Sequence, residues 1–241
     1  MKIAFFGTPR FAQIVLEKLI GTKFQPDLVI TAPDARVGRG RILESPPVKK
    51  TAIENGIKVL QPEKLSGPDV IRQLSILVAY GKIIPKEILS IPKFGFINVH
   101  PSLLPKYRGP SPIQSALLSG EEKTGVSIIL LDEQIDHGPI LSKKKITIAK
   151  DDTHASLIEY LGKIGAKLLL ETLPDYIDGN LKPKPQNHQE ATYTKHIKKQ
   201  DGYIDLDQPP DSQTLDRMIR AYYPWPTAWG EVKVESQSND L

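Results

Sequence analysis

Lys2-Ile3-Ala4-Phe5-Phe6-Gly7-Thr8-Pro9-Arg10-Phe11 sets the architecture of this 241-residue chain. A short uninterrupted apolar run ended by glycine is the pattern of a strand covered on both faces. Thr8 and Pro9 then supply an N-cap and a first-turn proline. Phe11, Val15, Leu16 and Leu19 follow at helical spacing. A core strand that runs straight into an amphipathic helix is the first half of a βαβ unit.

The same alternation continues outward. Apolar runs at 28–30, 57–60, 76–79, 95–100 and 126–131 read as further core strands, and 139–148 as an edge strand. Pro46 and Pro47 bring in a helix carrying Ala52 and Ile53, which stops at Asn55-Gly56. A further helix is expected from Pro68. Thr153 opens a long one with apolar residues at 157, 158, 161, 164, 168 and 169. The fold class is α/β, a doubly wound, Rossmann-like and mostly parallel sheet, which binds ligands beyond the C-terminal ends of its strands. The first turn is not Gly-x-Gly-x-x-Gly, and Pro9 lacks the N–H that a phosphate cradle uses. A dinucleotide bound in the usual way is therefore excluded, as is a Walker-type loop.

Composition narrows the chemistry. With no cysteine, disulfides, thiolate catalysis and cysteine-ligated zinc are out. No apolar run reaches the roughly 18–20 residues of a membrane span, and no targeting segment precedes the first strand. A cytoplasmic protein is expected. The net charge of +4 permits an anionic partner. Its distribution says more: Arg36, Arg39, Arg41, Lys49 and Lys50 crowd one stretch against Asp34 and Glu44 alone. Lysine clusters at 143–145 and at 195, 198 and 199 read as solvated surface.

After about residue 180 the pattern changes. Lys182-Pro183-Lys184-Pro185-Gln186-Asn187 is extended and polar, as a linker is. The expected organisation is a main domain over 1–180, a linker over 181–202 and a small segment over 203–241. That segment offers a short helix near 215–223, a strand-like run at 230–234 and a frayed end from 236. It is too small to bury a core alone, so it has to dock on the main domain or begin something larger.

The most informative stretch is Ile97-Asn98-Val99-His100-Pro101-Ser102-Leu103-Leu104-Pro105-Lys106-Tyr107-Arg108-Gly109. Asn98 and His100 lie two apart at a strand end, so both side chains point to one side of the sheet. An amide can bind a developing oxyanion and an imidazole can shuttle a proton. The turn Leu131-Asp132-Glu133-Gln134-Ile135-Asp136-His137-Gly138 follows another buried strand, and a carboxylate there could meet His100 and fix its tautomer. Spacing leaves Asp132, Glu133 and Asp136 equally open.

Asn-x-His, then Ser-Leu-Leu-Pro-x-Tyr-Arg-Gly, then Leu-Asp-x-x-x-Asp-x-Gly together resemble the formyltransferases that use 10-formyltetrahydrofolate. The resemblance implies a catalytic set of Asn98, His100 and Asp136: an oxyanion donor, a proton carrier and the group that orients the histidine. It implies a folate site on Ser102, Leu103, Leu104 and Pro105 and on the loop with Tyr80, Gly81 and Ile83, and no metal. Pro33-Asp34-Ala35-Arg36-Val37-Gly38-Arg39-Gly40-Arg41, leading to Ser45-Pro46-Pro47-Val48-Lys49, looks like the inserted loop of methionyl-tRNA formyltransferases. In that family the loop enters the acceptor arm, which implies tRNA contacts by Arg36, Arg39 and Arg41. Met218-Ile219-Arg220-Ala221-Tyr222-Tyr223-Pro224-Trp225-Pro226 resembles the opening of that family's C-terminal OB-like domain, here expected to be cut short. The implied partner is initiator methionyl-tRNA, bound by a monomer. An amino-sugar N-formyltransferase using the same donor is the alternative, and a catalytically silent RNA-binding remnant is a third reading.

Overall fold

In the computed structural model, residues 1–38, 40–65 and 72–232 are described. Arg39, the start of the helix expected from Pro68, the end of the run at 230–234 and the terminus from 236 lie outside them. A seven-stranded sheet has the order β5-β2-β1-β6-β7-β8-β9. Its strands are β1 (Ile3–Gly7), β2 (Leu28–Ile30), β5 (Lys58–Leu60), β6 (Leu74–Val78), β7 (Phe96–His100), β8 (Lys123–Leu130) and β9 (Ile140–Thr147). The first five in sheet order pair in parallel, and β8 and β9 add antiparallel. The mostly parallel Rossmann-like sheet is thus present, with β9 at its edge.

Alternation along β1 explains why its apolar run is continuous. Ile3 and Phe5 enter a large core cluster, whereas Ala4 and Phe6 enter a smaller one on the opposite face. The larger cluster lies under α1 (Arg10–Leu19), α2 (Pro47–Glu54) and α5 (His154–Ile177). Gly165 seats α5 close on the sheet, because a Cβ there would lie 2.8 Å from Val99 Cγ1. Ile97 and Val99 of β7 belong to this face. Phe96 belongs to the smaller cluster, so Asn98 and His100 share its side of the sheet.

One local expectation changes. Pro9, not Thr8, occupies the N-cap of α1, and it makes no side-chain cap. The Thr8 hydroxyl instead donates to Tyr80 O (3.2 Å) and accepts from Ala32 N (3.4 Å), tying together the chain leaving β1, β6 and β2. Ile53 is 60% exposed because it faces outward from α2, while Ala52 is buried. Thr153 does cap α5, through reciprocal bonds with Ser156. The stretch beyond residue 180 is extended but closely bound to the rest. Lys184 and Ile140 exchange backbone bonds at 2.8 Å, and Thr192 and Thr194 pair with the backbone of Arg108. Helix α6 (Ser212–Tyr222) docks on α4 (Pro112–Leu118), burying Ala221 and Tyr222 in the larger cluster. Among the described residues no helix is long and apolar enough to cross a membrane.

His154, the first residue of α5, is half-buried, and its Nδ1 has no partner among the described residues. Burial pushes the imidazole from 6.5 down to about 4. As pH falls, the unfolded chain therefore takes up the proton first. Stability is complete above about pH 6.5 and falls towards pH 4, by at most about 3 kcal/mol at ~1.4 kcal/mol per pKa unit. His154→Gln is expected to flatten the dependence of Tm on pH across this window. An unchanged slope would assign the loss to other groups.

Candidate functional site

β7 ends in Asn98-Val99-His100, and its parallel neighbour β6 runs out into Ala79-Tyr80-Gly81. Asn98 and His100 are only 5% and 4% exposed. Asp136 meets both: Asn98 Nδ2 donates to Asp136 Oδ1 at 3.0 Å, and His100 Nδ1 lies 3.5 Å from the same oxygen. The other carboxylate oxygen accepts from Gly109 N at 2.8 Å. The other two acids of the turn face elsewhere. Asp132 bonds His137, and Glu133 pairs with Lys86 on the surface.

Asp136 reaches inward because its backbone is left-handed (φ 48°), a conformation that asparagine and aspartate tolerate better than most side chains. The short hydrogen bond of His100 is not to Asp136. Its Nε2 lies 2.9 Å from Tyr107 O, and a carbonyl only accepts, so Nε2 carries a proton. Tyr107 is itself left-handed (φ 61°), which turns its carbonyl onto the ring. Asp136 thus pins the Asn98 amide by hydrogen bond and lies against the His100 ring. The second N–H of Asn98 has no partner among the described residues.

A network built on two buried residues, Arg108 and Gln186, supports this turn, and none of its members was flagged by the sequence motifs as a support. Gln186 Nε2 donates to the carbonyls of both Asp136 (2.9 Å) and Gly138 (2.7 Å). Arg108 Nη2 donates to Gln186 Oε1 at 2.8 Å and approaches His188 Nδ1 at 2.9 Å, while Nη1 reaches Tyr193 Oη at 3.1 Å. Arg108 is 1% exposed, yet all these partners are neutral acceptors. Partial desolvation first, and then the neighbouring His137 and Arg108, lower the pKa of His188, and the guanidinium N–H facing Nδ1 makes that nitrogen an acceptor. His137 stacks on His188 with ring centroids 3.9 Å apart and does not touch Asp136. The one available signal for this network was Arg108, a charged residue at the end of a proline-braced loop.

The expected folate residues divide into two groups. Ser102 and Leu104 are buried, and their polar groups are spent internally: Ser102 Oγ on Lys106 O, Leu104 N on Ser127 Oγ and Leu104 O on Lys143 Nζ. Leu103 packs on Gly125, where a Cβ would lie 2.6 Å away, and Pro105 is half-buried. This segment is a wall. Tyr80 places its ring in the smaller cluster, edge-on to Phe6 at 5.5 Å. Gly81 is exposed and left-handed (φ 83°), and Ile83 is 80% exposed. No described residue pairs with the backbone of Gly81, Lys82 or Ile83. Unspent backbone beside an exposed branched side chain fits a flat heterocycle that needs hydrogen bonds along one edge. Arg36 and Arg41 lie away from this site, on an exposed antiparallel hairpin of β3 (Ala35–Val37) and β4 (Ile42–Glu44).

Residues 1–173 match the family model described as formyl transferase. The chain belongs to the formyl transferase family. It is 44% identical over 236 residues to the methionyl-tRNA formyltransferase of Chloroflexus aurantiacus, covering 95% of this chain and 76% of that one. It is 45% identical over 240 residues to the methionyl-tRNA formyltransferase of Thermodesulfovibrio yellowstonii, covering 97% and 77%. Among solved structures, the N-formyltransferase from Helicobacter canadensis, in complex with folinic acid and dTDP-3-aminofucose, has a TM-score of 0.70 at 25% identity, covering 92% of this chain and 80% of that one. A 4-N formyltransferase from Francisella tularensis has a TM-score of 0.74 at 20% identity, covering 95% and 91%, and shares the fold.

Gln186→Met keeps the side-chain volume but leaves two buried carbonyls and one guanidinium N–H unpaired. A loss of about 2–4 kcal/mol is expected in urea unfolding, at ~1–3 kcal/mol per abandoned partner with partial relaxation. Unchanged stability would mean that the Asp136 turn is held without the amide.

Proposed function

We propose that this formyltransferase moves the formyl group of 10-formyltetrahydrofolate onto the α-amino group of initiator methionyl-tRNA, as a cytoplasmic monomer. The observation that carries the reading is 41–45% identity to methionyl-tRNA formyltransferases across at least 95% of the chain. A basic hairpin at the same end of the parallel strands as Asn98 and His100 supports it.

The roles follow from the geometry. The donor supplies an activated formyl carbon: the amine nitrogen bonds to it, the bond to the folate nitrogen breaks, and one proton passes from the amine to that nitrogen. Asn98, with one N–H held by Asp136, directs the other at the formyl oxygen as that oxygen gains charge. A preorganised donor of this kind is worth about 3–4 kcal/mol in the barrier. His100 carries the proton between amine and leaving nitrogen, and its contacts with Tyr107 O and Asp136 fix the ring plane. Gly81, Ile83 and the backbone at Tyr80 would hold the pterin edge, against the wall of Ser102, Leu103, Leu104 and Pro105. Arg36, Arg39 and Arg41 would contact the acceptor-arm phosphates, with glycines beside them allowing close approach. In this reading residues 1–180 form the catalytic domain, 181–202 the connection and 203–241 the start of a C-terminal tRNA-binding part.

The test is formyl transfer to charged initiator tRNA. The wild type is expected to turn over, Asn98→Ala to lose about 10²–10³ in kcat, and His100→Ala about 10²–10⁴. Arg39→Ala is expected to raise KM for tRNA, most at low salt, because one fewer phosphate contact flattens the salt dependence. Turnover of a nucleotide-linked amino sugar, with none of tRNA, would overturn the acceptor and leave the chemistry standing.

A further inference from the structure

Among the described side chains of the hairpin that carries Arg36 and Arg41, no apolar one is buried. All of β4 is exposed, with Ile42 and Leu43 71% and 67% open to solvent. A lone two-stranded ribbon is marginal in water, and its direction is not fixed by three residue pairs alone. Rigidity has to come from its base.

Asp34 provides it. This residue sits immediately before β3, opposite Ser45, which immediately follows β4. Ser45 Oγ donates to Asp34 Oδ2 at 3.0 Å, closing the ribbon across its two strands. Lys49 Nζ, in the first turn of α2, contacts both carboxylate oxygens at 2.8 Å. Gln61 Nε2, just beyond β5, donates to Asp34 Oδ1 at 2.9 Å and to Ala32 O at 2.6 Å. One carboxylate therefore joins both strands of the hairpin, a helix and the end of a core strand. The Lys49 ammonium foremost, then Gln61, hold the carboxyl below its usual range, so the anchor is ionised at neutral pH. Asp34 and Lys49 are 27% and 21% exposed, so salt screens this pair less than a surface pair.

We propose that Asp34 is a positioning residue for the acceptor RNA, acting through Arg36 and Arg41 by fixing the hairpin at the angle from which they meet phosphate. The inference rests on the reading of the hairpin as the tRNA-contacting arm. Without the anchor the ribbon has to be ordered at the moment of binding, and that cost falls on tRNA affinity and not on the chemistry.

The experiment measures kcat, KM for charged tRNA and KM for 10-formyltetrahydrofolate in the full chain, with Tm recorded for every variant. Asp34→Ala is expected to raise KM for tRNA at least tenfold, with kcat and the folate KM within twofold. Asp34→Asn, which can still pair with Ser45 and Gln61, is expected to fall between it and the wild type. Lys49→Met is expected to add little to Asp34→Ala in the double variant, because both break one anchor. Arg36→Ala and Arg41→Ala test the underlying reading. If they leave KM for tRNA unchanged, the arm does not touch the acceptor and the inference falls with it. If they raise KM while Asp34→Ala does not, or if Asp34→Ala lowers kcat and raises both KM values together, the inference alone is overturned.

Discussion

Asp136 accepts one hydrogen bond from a strand-end side chain and another from a loop backbone, and everything at the site depends on that double acceptance. Its oxygens bind Asn98 Nδ2 and Gly109 N, which joins β7, the proline-braced loop and the turn after β8 at a single carboxylate. Because one N–H of Asn98 is taken, the direction of the other is fixed by amide geometry. His100 takes its orientation from Tyr107 O as well, so the loop that closes on Asp136 also sets the imidazole. The pair of left-handed residues, Tyr107 and Asp136, is what allows both contacts at once. Such backbone strain persists only where surrounding bonds over-determine it.

Those surrounding bonds come from far along the chain. Arg108 is a buried guanidinium with neutral partners, a costly arrangement unless its donors are used. Its two terminal nitrogens spend theirs on Gln186, His188 and Tyr193, while Nε has no partner among the described residues, and Gln186 in turn clamps the two carbonyls of the Asp136 turn. The residues after 180 therefore build the back of the site, whatever else they connect. Gly109 marks how close the two segments lie: a Cβ there would come within 2.9 Å of Thr194 Oγ1. The chemistry of a strand end is thus stabilised by a segment whose composition alone reads as a spacer.

Parallel pairing explains why the Asn98–His100 pair and the hairpin of Arg36 and Arg41 lie at the same end of the parallel strands. β1, β2, β6 and β7 run the same way, so the chain leaving each of them emerges on one side of the sheet. Thr8 follows β1, the hairpin follows β2, the Tyr80 loop follows β6 and the Ser102 loop follows β7. Thr8 bonds the chain after both neighbours and holds these exits at fixed spacing. The smaller core cluster lies on the same sheet face as Asn98 and His100, while the larger cluster under α1 and α5 is left to stability.

The sequence alone determined the parts governed by local periodicity. Continuous apolar runs alternating with helical spacing required a parallel-rich sheet, and a two-residue offset put Asn98 and His100 on one face. The position of that pair at a strand's C-terminal end followed from the prolines that stop the strand. Tertiary structure decided which of Asp132, Glu133 and Asp136 joins them, since a left-handed turn residue redirects one side chain and spacing carries no sign of it. It also decided that Thr8 would bridge loops instead of capping a helix, and that Arg36 and Arg41 would ride on a ribbon anchored by Asp34. Gln186 meets Arg108 across 78 residues of sequence. Short-range patterns set which face a residue points to, but contacts between distant segments depend on strand register and docking, which the whole chain settles together.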